Sequence, residues 1–341
     1  MNAELDRLPG PVLVVGGYGY GNVGDEAILA GLLASLGPRP VTVLSRDPAE
    51  TTRLHGVPAI RHAAAVVALR RHRAVIIGGG GLFGRDMGRV GRALPLFGLF
   101  AAALGRPVAI EGVDIDTQLA PSARLLVPAM LRRAVHVTVR DRRSLAILEA
   151  WNVRGSQAPD LSYSMPEAPA SVGLELLRAA GVDLDRPVVG LALTGVRPEL
   201  ANAALDAVSG AMDEMPNTQF CFIPMSRHPT VATHDDLRLA HRLRDAQPRL
   251  AIVKAAAHPA ALLSAFGQLS AVVSMRYHGM LFAERAGVPL VPLVYAEKNV
   301  RWLDEHGLEA VPAAADPLTA ALRQALARGE RATHNPQTVA S

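Results

Sequence analysis

The chain has 341 residues, half of them hydrophobic and 19% charged, with a formal net charge of +4 and only 4% aromatics. That length suits two domains of ordinary size with substantial cores, and the composition excludes an intrinsically disordered chain. Scarce aromatics, and basic residues scattered rather than clustered, exclude an extended nucleic-acid surface while suiting small anionic substrates or an anionic membrane face.

The amino-terminal stretch carries acidic residues and no signal-peptide architecture, so a cytoplasmic protein is expected. Short apolar runs alternate with amphipathic segments throughout, which predicts an α/β fold with parallel sheets. In the first half the expected strands are 12–15, 41–44, 74–77, 107–110 and 136–139. Between the first two, Ile28, Leu29, Leu32, Leu33 and Leu36 form one apolar stripe at helical spacing. The apolar stretch 93–104 is interrupted by Pro95 and is too short to span a bilayer. Three prolines within 158–172 place a linker at 161–172, between a domain 1–160 and a domain 173–328, with a flexible tail at 329–341. The expected strands of the second domain are 188–193, 219–223, 250–253, 271–274 and 290–293. Two Rossmann-like domains facing each other would leave an interdomain cleft at the carboxyl ends of both sheets. Cys221, the one cysteine, falls in an apolar strand and reads as a buried, inert thiol.

Gly19 to Gly24 matches the GxGxxG fingerprint between a strand and a helix, and Asp47 follows the next strand, so a dinucleotide site is one reading. Two features oppose it. The glycines begin several residues beyond the strand, and Asp25 and Glu26 would repel a pyrophosphate at the helix N-terminus. The carboxylates then either complement the helix dipole or act on substrate. A second run, Gly78 to Gly81, either brings backbone amides to a ligand or makes a sharp strand-to-helix turn. Gly21, Asn22, Gly24, Gly79 and Gly80 are the backbone positions expected to line such a loop.

The cations follow a pattern. Arg276 and His278 come just past the strand at 271–274, Lys298 just past the one at 290–293, and Arg140 just past 136–139. Doubly wound sheets place ligands at that end, and the group suits a small dianion carrying phosphate and carboxylate. Taken singly, each is more often a surface ion-pair partner, and a histidine near a strand end more often a satisfied structural residue; the repeated placement is what favours a site. No metal-ligand spacing occurs, so no metal is expected.

GNVGDEAIL (21–29), GGGGLF (78–83), VRDRRS (139–144) and SMRYHGMLFAERAGVPLVPLVYAEK (274–298) resemble, in order and spacing, the motifs of the polysaccharide pyruvyl transferase family, its CsaB-type members above all. The resemblance implies a pair of Rossmann-like domains in the glycosyltransferase-B manner. It implies phosphoenolpyruvate as donor substrate, with no separate cofactor. Arg140, His278 and Lys298 match donor-binding positions, and Arg276 shares their motif. Asp160 falls where the family often has aspartate followed by proline, but here Leu161 follows. The implied acceptor is a sugar of a cell-wall polysaccharide precursor, carried on lipid at the inner face of the membrane, with S-layer anchoring as the use. His278 is expected to serve the donor and Asp25 or Glu26 the acceptor. The competing functions are a nucleotide-sugar glycosyltransferase of the same fold, an NAD(P)-dependent oxidoreductase and a non-catalytic polysaccharide-binding module.

Overall fold

The computed structural model describes residues 3–84, 89–116, 118–119, 121–254 and 257–334. The chain divides into two compact units, Met1–Pro166 and Glu167–Ser341.

The first unit is built on a seven-stranded sheet: β1 (Val12–Val15), β2 (Val41–Ser45), β3 (Ala59–Arg61), β4 (Ala74–Phe83), β5 (Val108–Ile115), β6 (His136–Val139) and β7 (Ser156–Gln157). Every pairing in it is parallel, and the order is β3-β2-β1-β4-β5-β6-β7. β1 and β5 are buried along their whole length, as strands covered on both faces must be. The helix Val23–Leu36 lays Ile28, Leu29, Leu32 and Leu36 into the core on one face, with Leu33 packed beside them. Helices Arg89–Ala103, Pro121–Leu131 and Arg142–Ala150 cover the other.

The second unit repeats the plan with β8 (Val188–Ala192), β9 (Gln219–Phe222), β10 (Ala251–Ile252), β11 (Ala271–Ser274) and β12 (Leu290–Pro292). Its order is β10-β9-β8-β11-β12, again all parallel. Its main core joins the strands to helices Pro198–Glu214, Asp236–Ala246 and Ala315–His334. The last helix takes in the start of the tail expected at 329–341; residues 335–341 lie outside the described residues. Between the sheets, Leu161–Ser164 form a 3-10 turn, and Ala170 opens the next helix. Cys221 is buried in β9, and burial pushes its thiol up to about 12.

All ten expected strands are present, most within a residue or two of their expected ends. The glycine run corrects one expectation: Gly78 to Gly81 do not make a turn after β4 but lie inside it. Gly79 and Gly80 take φ of +72° and +76°, and the register with β5 shifts between Gly80 and Phe83. Glycine here permits a kink within a continuing strand, because only glycine adopts those angles without strain.

Candidate active site

In the second sheet, strand order reverses between β8 and β11, since β9 and β10 extend to one side of β8 and β12 continues on the other side of β11. The gap at such a switch point is where doubly wound sheets hold ligands. The chain leaves β11 there. The backbone N–H groups of Met275 and Arg276 both donate to the Ala192 carbonyl at the end of β8. Helix Tyr277–Arg285 then begins, and Gly279 lets it lie close to the sheet: a Cβ at that position would stand 2.5 Å from Ser274 Oγ and 2.9 Å from Ala192 Cβ.

Arg276, Tyr277, His278 and Lys298 are each half-buried around this exit. The rings of Tyr277 and His278 meet edge to face at 5.3 Å, and Lys298 Nζ lies 5.9 Å from the Tyr277 ring centroid. Asn299, wholly buried, donates to the Met275 carbonyl at 2.7 Å and so ties the helix carrying Lys298 to the end of β11. The Arg276 guanidinium is held by Asp236 in a two-pronged pair, with Nε donating at 3.0 Å. Burial pushes the Asp236 carboxyl up, against the pull of Arg276 and of the Ser226 and Met225 backbone. Three of the four expected donor residues thus gather within one unit, with Tyr277, Asp236 and Asn299 added.

In the first sheet the order reverses between β1 and β4, and the glycine-rich loop lies at that switch point. Asn22 caps the helix Val23–Leu36 by accepting from Gly24 N–H at 3.1 Å, while its amide donates to Asp25 Oδ2 at 2.7 Å. Gly21 is exposed, at φ +72°. The two carboxylates have different surroundings. Glu26 is 5% exposed; it accepts from Gly19 N–H at 2.8 Å and meets His55 Nε2 at 2.8 Å. Asp25 is half-buried and sits between glycines of β1's exit and β4. A Cβ on Gly17 would come within 3.2 Å of its carboxylate, and one on Gly80 within 3.1 Å. A Cβ on Gly79 would collide with Ile28 at 1.9 Å. Beside them Tyr18 is fully enclosed and donates to the Gly78 carbonyl at 3.0 Å. Burial, with Asp25 and Glu26 adding to it, pushes its phenol far up.

Arg140 stands at the end of β6 in the first unit. Its side chain is 3% exposed and is held by Asp114 at 2.9 Å and Asp160 at 3.1 Å. Asp160 also accepts from Ser162 N–H, fixing the turn that leads out of the unit. Sequence reasoning gave Asp160 little weight and missed Asp114 and Asp236. Lone aspartates carry no spacing signal, although the VDID run holding Asp114 closes β5, the strand paired with β6, at whose end Arg140 stands. Asp47, the residue a dinucleotide reading would place on a ribose, caps the helix Pro48–His55 by accepting from Glu50 N–H at 3.2 Å.

Several solved structures share this architecture. The UDP-GlcNAc 2-epimerase of Neisseria meningitidis bound to UDP-GlcNAc superposes with a TM-score of 0.64 at 12% identity, over 92% of this chain and 90% of that one. The S. aureus MnaA–UDP structure gives 0.66 at 10% identity, over 95% and 89%. The E. coli ADP-heptose lps heptosyltransferase II gives 0.53 at 11% identity, over 94% and 100%. At these identities the likeness establishes the glycosyltransferase-B fold, two Rossmann-like domains, and no more. No curated protein sequence matches the chain. The polysaccharide pyruvyl transferase profile matches residues 22–297, from the cap of the helix Val23–Leu36 to the first residue of the one bearing Lys298. The chain belongs to the polysaccharide pyruvyl transferase family.

Proposed function

We propose that the protein transfers the pyruvyl group of phosphoenolpyruvate onto two hydroxyls of one sugar, forming a ketal on a lipid-linked precursor of a cell-surface polysaccharide at the inner face of the membrane. The observation that carries this reading is the half-buried cluster at the second switch point, with Arg276 and His278 inside the family match and Lys298 one residue past its end. Two cations and an imidazole around one strand exit suit a small ligand bearing phosphate and carboxylate. In the family's reaction the enol carbon takes a proton, one hydroxyl adds to C2, and the second displaces phosphate. Of the two hydroxyl protons, one balances the new methyl group and the other leaves with phosphate.

Each residue then has a task. Lys298 and Arg276 hold the anionic groups, and Asp236 keeps the Arg276 fork at one angle. His278 supplies the proton to the enol carbon. Asp25 is the base for the acceptor hydroxyl, since it is half-buried where Glu26 is enclosed and held by Gly19 and His55. Arg140, enclosed by Asp114 and Asp160, acts as a positioning residue that braces the turn at Asp160. S-layer anchoring is one use such a ketal would serve.

The test is calorimetric binding of phosphoenolpyruvate to the purified protein, with UDP-GlcNAc and NAD as parallel ligands, followed by phosphate release with lipid-linked sugars. Binding of phosphoenolpyruvate alone is expected. Binding of UDP-GlcNAc in its place would make the protein a nucleotide-sugar transferase, and binding of NAD would restore the dinucleotide reading of Gly19 to Gly24.

A further inference from the structure

The helix Arg89–Ala103 (RVGRALPLFGLFAAA) presents apolar side chains to the outside as well as to the core. Leu96 is 55% exposed, Phe100 44%, and Leu104, just past the helix end, 52%. At four-residue spacing these three lie along one stripe. The helix Pro121–Leu131 packs beside it, since a Cβ on Gly98 would touch Met130 at 2.6 Å, and it adds Leu125 at 78% exposure. The turn of helix at Ala65–Ala68, which contributes to the same core, adds Val66 and Val67. Of the twelve large hydrophobics exposed among the described residues, these six fall on one helical layer of the first unit. Scattered exposed leucines need no explanation, but a concentration of this kind marks an interaction surface.

Charge says what the surface meets. Neither helix contains an aspartate or a glutamate, and the segment 117–135 contains none either. Arginines flank the stripe instead: Arg92 and Arg124 are exposed on the two helices, and Arg132 and Arg133 are exposed just beyond the second. An apolar stripe flanked by arginine, on helices that carry no carboxylate of their own, is the pattern of a helix lying in the interface of an anionic bilayer. A protein partner of ordinary composition would be expected to meet some acidic residues at this rim. The 15-residue helix is about 22 Å long at 1.5 Å per residue, short of the ~30 Å hydrocarbon core, so it can lie on a bilayer but not cross it.

We propose that this layer, centred on Leu96, Phe100, Leu104 and Leu125 with Arg92, Arg124 and Arg133 at its rim, docks the protein on the surface of an anionic phospholipid bilayer. The inference rests on the surface alone and does not depend on the donor chemistry proposed above.

The test is flotation of the full-length protein with vesicles of phosphatidylcholine alone and of phosphatidylcholine containing about one third phosphatidylglycerol. Wild type is expected to float with the anionic vesicles, to release as salt is raised, and to ignore the neutral ones. Arg124→Gln and Arg133→Gln should each weaken partition about fivefold, the effect of one basic residue near an anionic surface. Phe100→Ser with Leu104→Ser should weaken it roughly tenfold or more, with the melting temperature unchanged because both side chains are exposed. Failure of wild type to float, equal partition onto neutral vesicles, or full partition of both sets of variants would overturn the proposal. So would a wild-type dimer that Phe100→Ser converts to monomer, which would put a second copy of the chain on the stripe.

Discussion

The two switch points are built on the same topology and carry opposite chemistry. In the first unit, β1 and β4 part around a carboxylate: Asp25 looks onto Gly17 and Gly80, with Glu26 and the Tyr18 phenol behind it. In the second, β8 and β11 part around cations: Arg276, His278 and Lys298 stand in the same place relative to their sheet. Parallel sheets supply the location of a site in both cases, and the residues just past the strand ends supply its charge. On the proposed reading a dianionic donor suits the second place and would be repelled by the first, whereas a sugar hydroxyl awaiting deprotonation suits the first. A glycosyltransferase-B fold is thus a frame on which function is written twice.

The largest effect expected from breaking this asymmetry is on turnover. His278→Gln keeps a polar side chain of similar reach but cannot relay a proton, so phosphate release from phosphoenolpyruvate should fall by about 10²–10⁴-fold with donor binding nearly intact. Asp25→Asn should do the same from the acceptor side. Wild-type turnover in either variant removes that residue from the chemistry.

A second contrast separates binding from architecture. Lys298→Ala should weaken donor binding by roughly one to two decades, the worth of one charged hydrogen bond to an anion, and leave the melting temperature unchanged. Arg140→Ala should do the reverse. Removing the guanidinium leaves Asp114 and Asp160 facing each other in a buried site, and breaking a buried pair typically costs about 3–5 kcal/mol. Arg276→Ala should show both losses, because Asp236 is wholly buried behind it. Denaturant unfolding and calorimetry on the three variants read the two quantities separately. A stable Arg140→Ala protein that has lost its donor would return Arg140 to the binding set. Within the first unit, Glu26→Gln should cost about 1–3 kcal/mol of stability through its bonds to Gly19 and His55, with little change in turnover.

Much of this was legible in the sequence, and the limits have physical causes. The ten strands with apolar runs showed themselves because buried parallel strands must be continuously hydrophobic. β3 and β7 did not, being three and two residues long at the sheet edges, with Ser156 and Gln157 both exposed. The cations past β11 and β12 were visible because strand ends are predictable. Their carboxylate partners were not, because Asp236 is forty residues from Arg276 in the chain and Asp114 is twenty-six from Arg140. Gly78 to Gly81 stood out at once, but of the two readings the sequence offered, amides facing a ligand or a turn, the turn fails, since the fold has a kinked strand wrapped on Ile28 and Asp25.

One further carboxyl sharpens the comparison through pH. Glu111 in β5 is paired in register with Gly78, whose carbonyl takes the Tyr18 phenol, and it is 1% exposed. Thr138 donates to it at 2.9 Å and His136 Nε2 lies 3.0 Å away. Burial pushes this carboxyl up to about 7, with the Thr138 hydrogen bond opposing, while burial holds the His136 imidazole down. A carboxyl raised in the folded state favours folding while it stays protonated. That contribution is full below the ordinary value of 4.5 and is lost as the pH rises through about 7. Glu111→Gln mimics the protonated acid at every pH. The variant should therefore match wild type near pH 4.5 and exceed it above pH 8, by roughly 1–3 kcal/mol on the scale of 1.36 kcal/mol per pKa unit. Denaturant midpoints measured across that range decide the matter. A Glu111→Gln advantage that stays constant with pH, or grows toward acid, would mean that Glu111 is ionised in the folded protein and that the interior of the first unit carries more negative charge than its switch point shows.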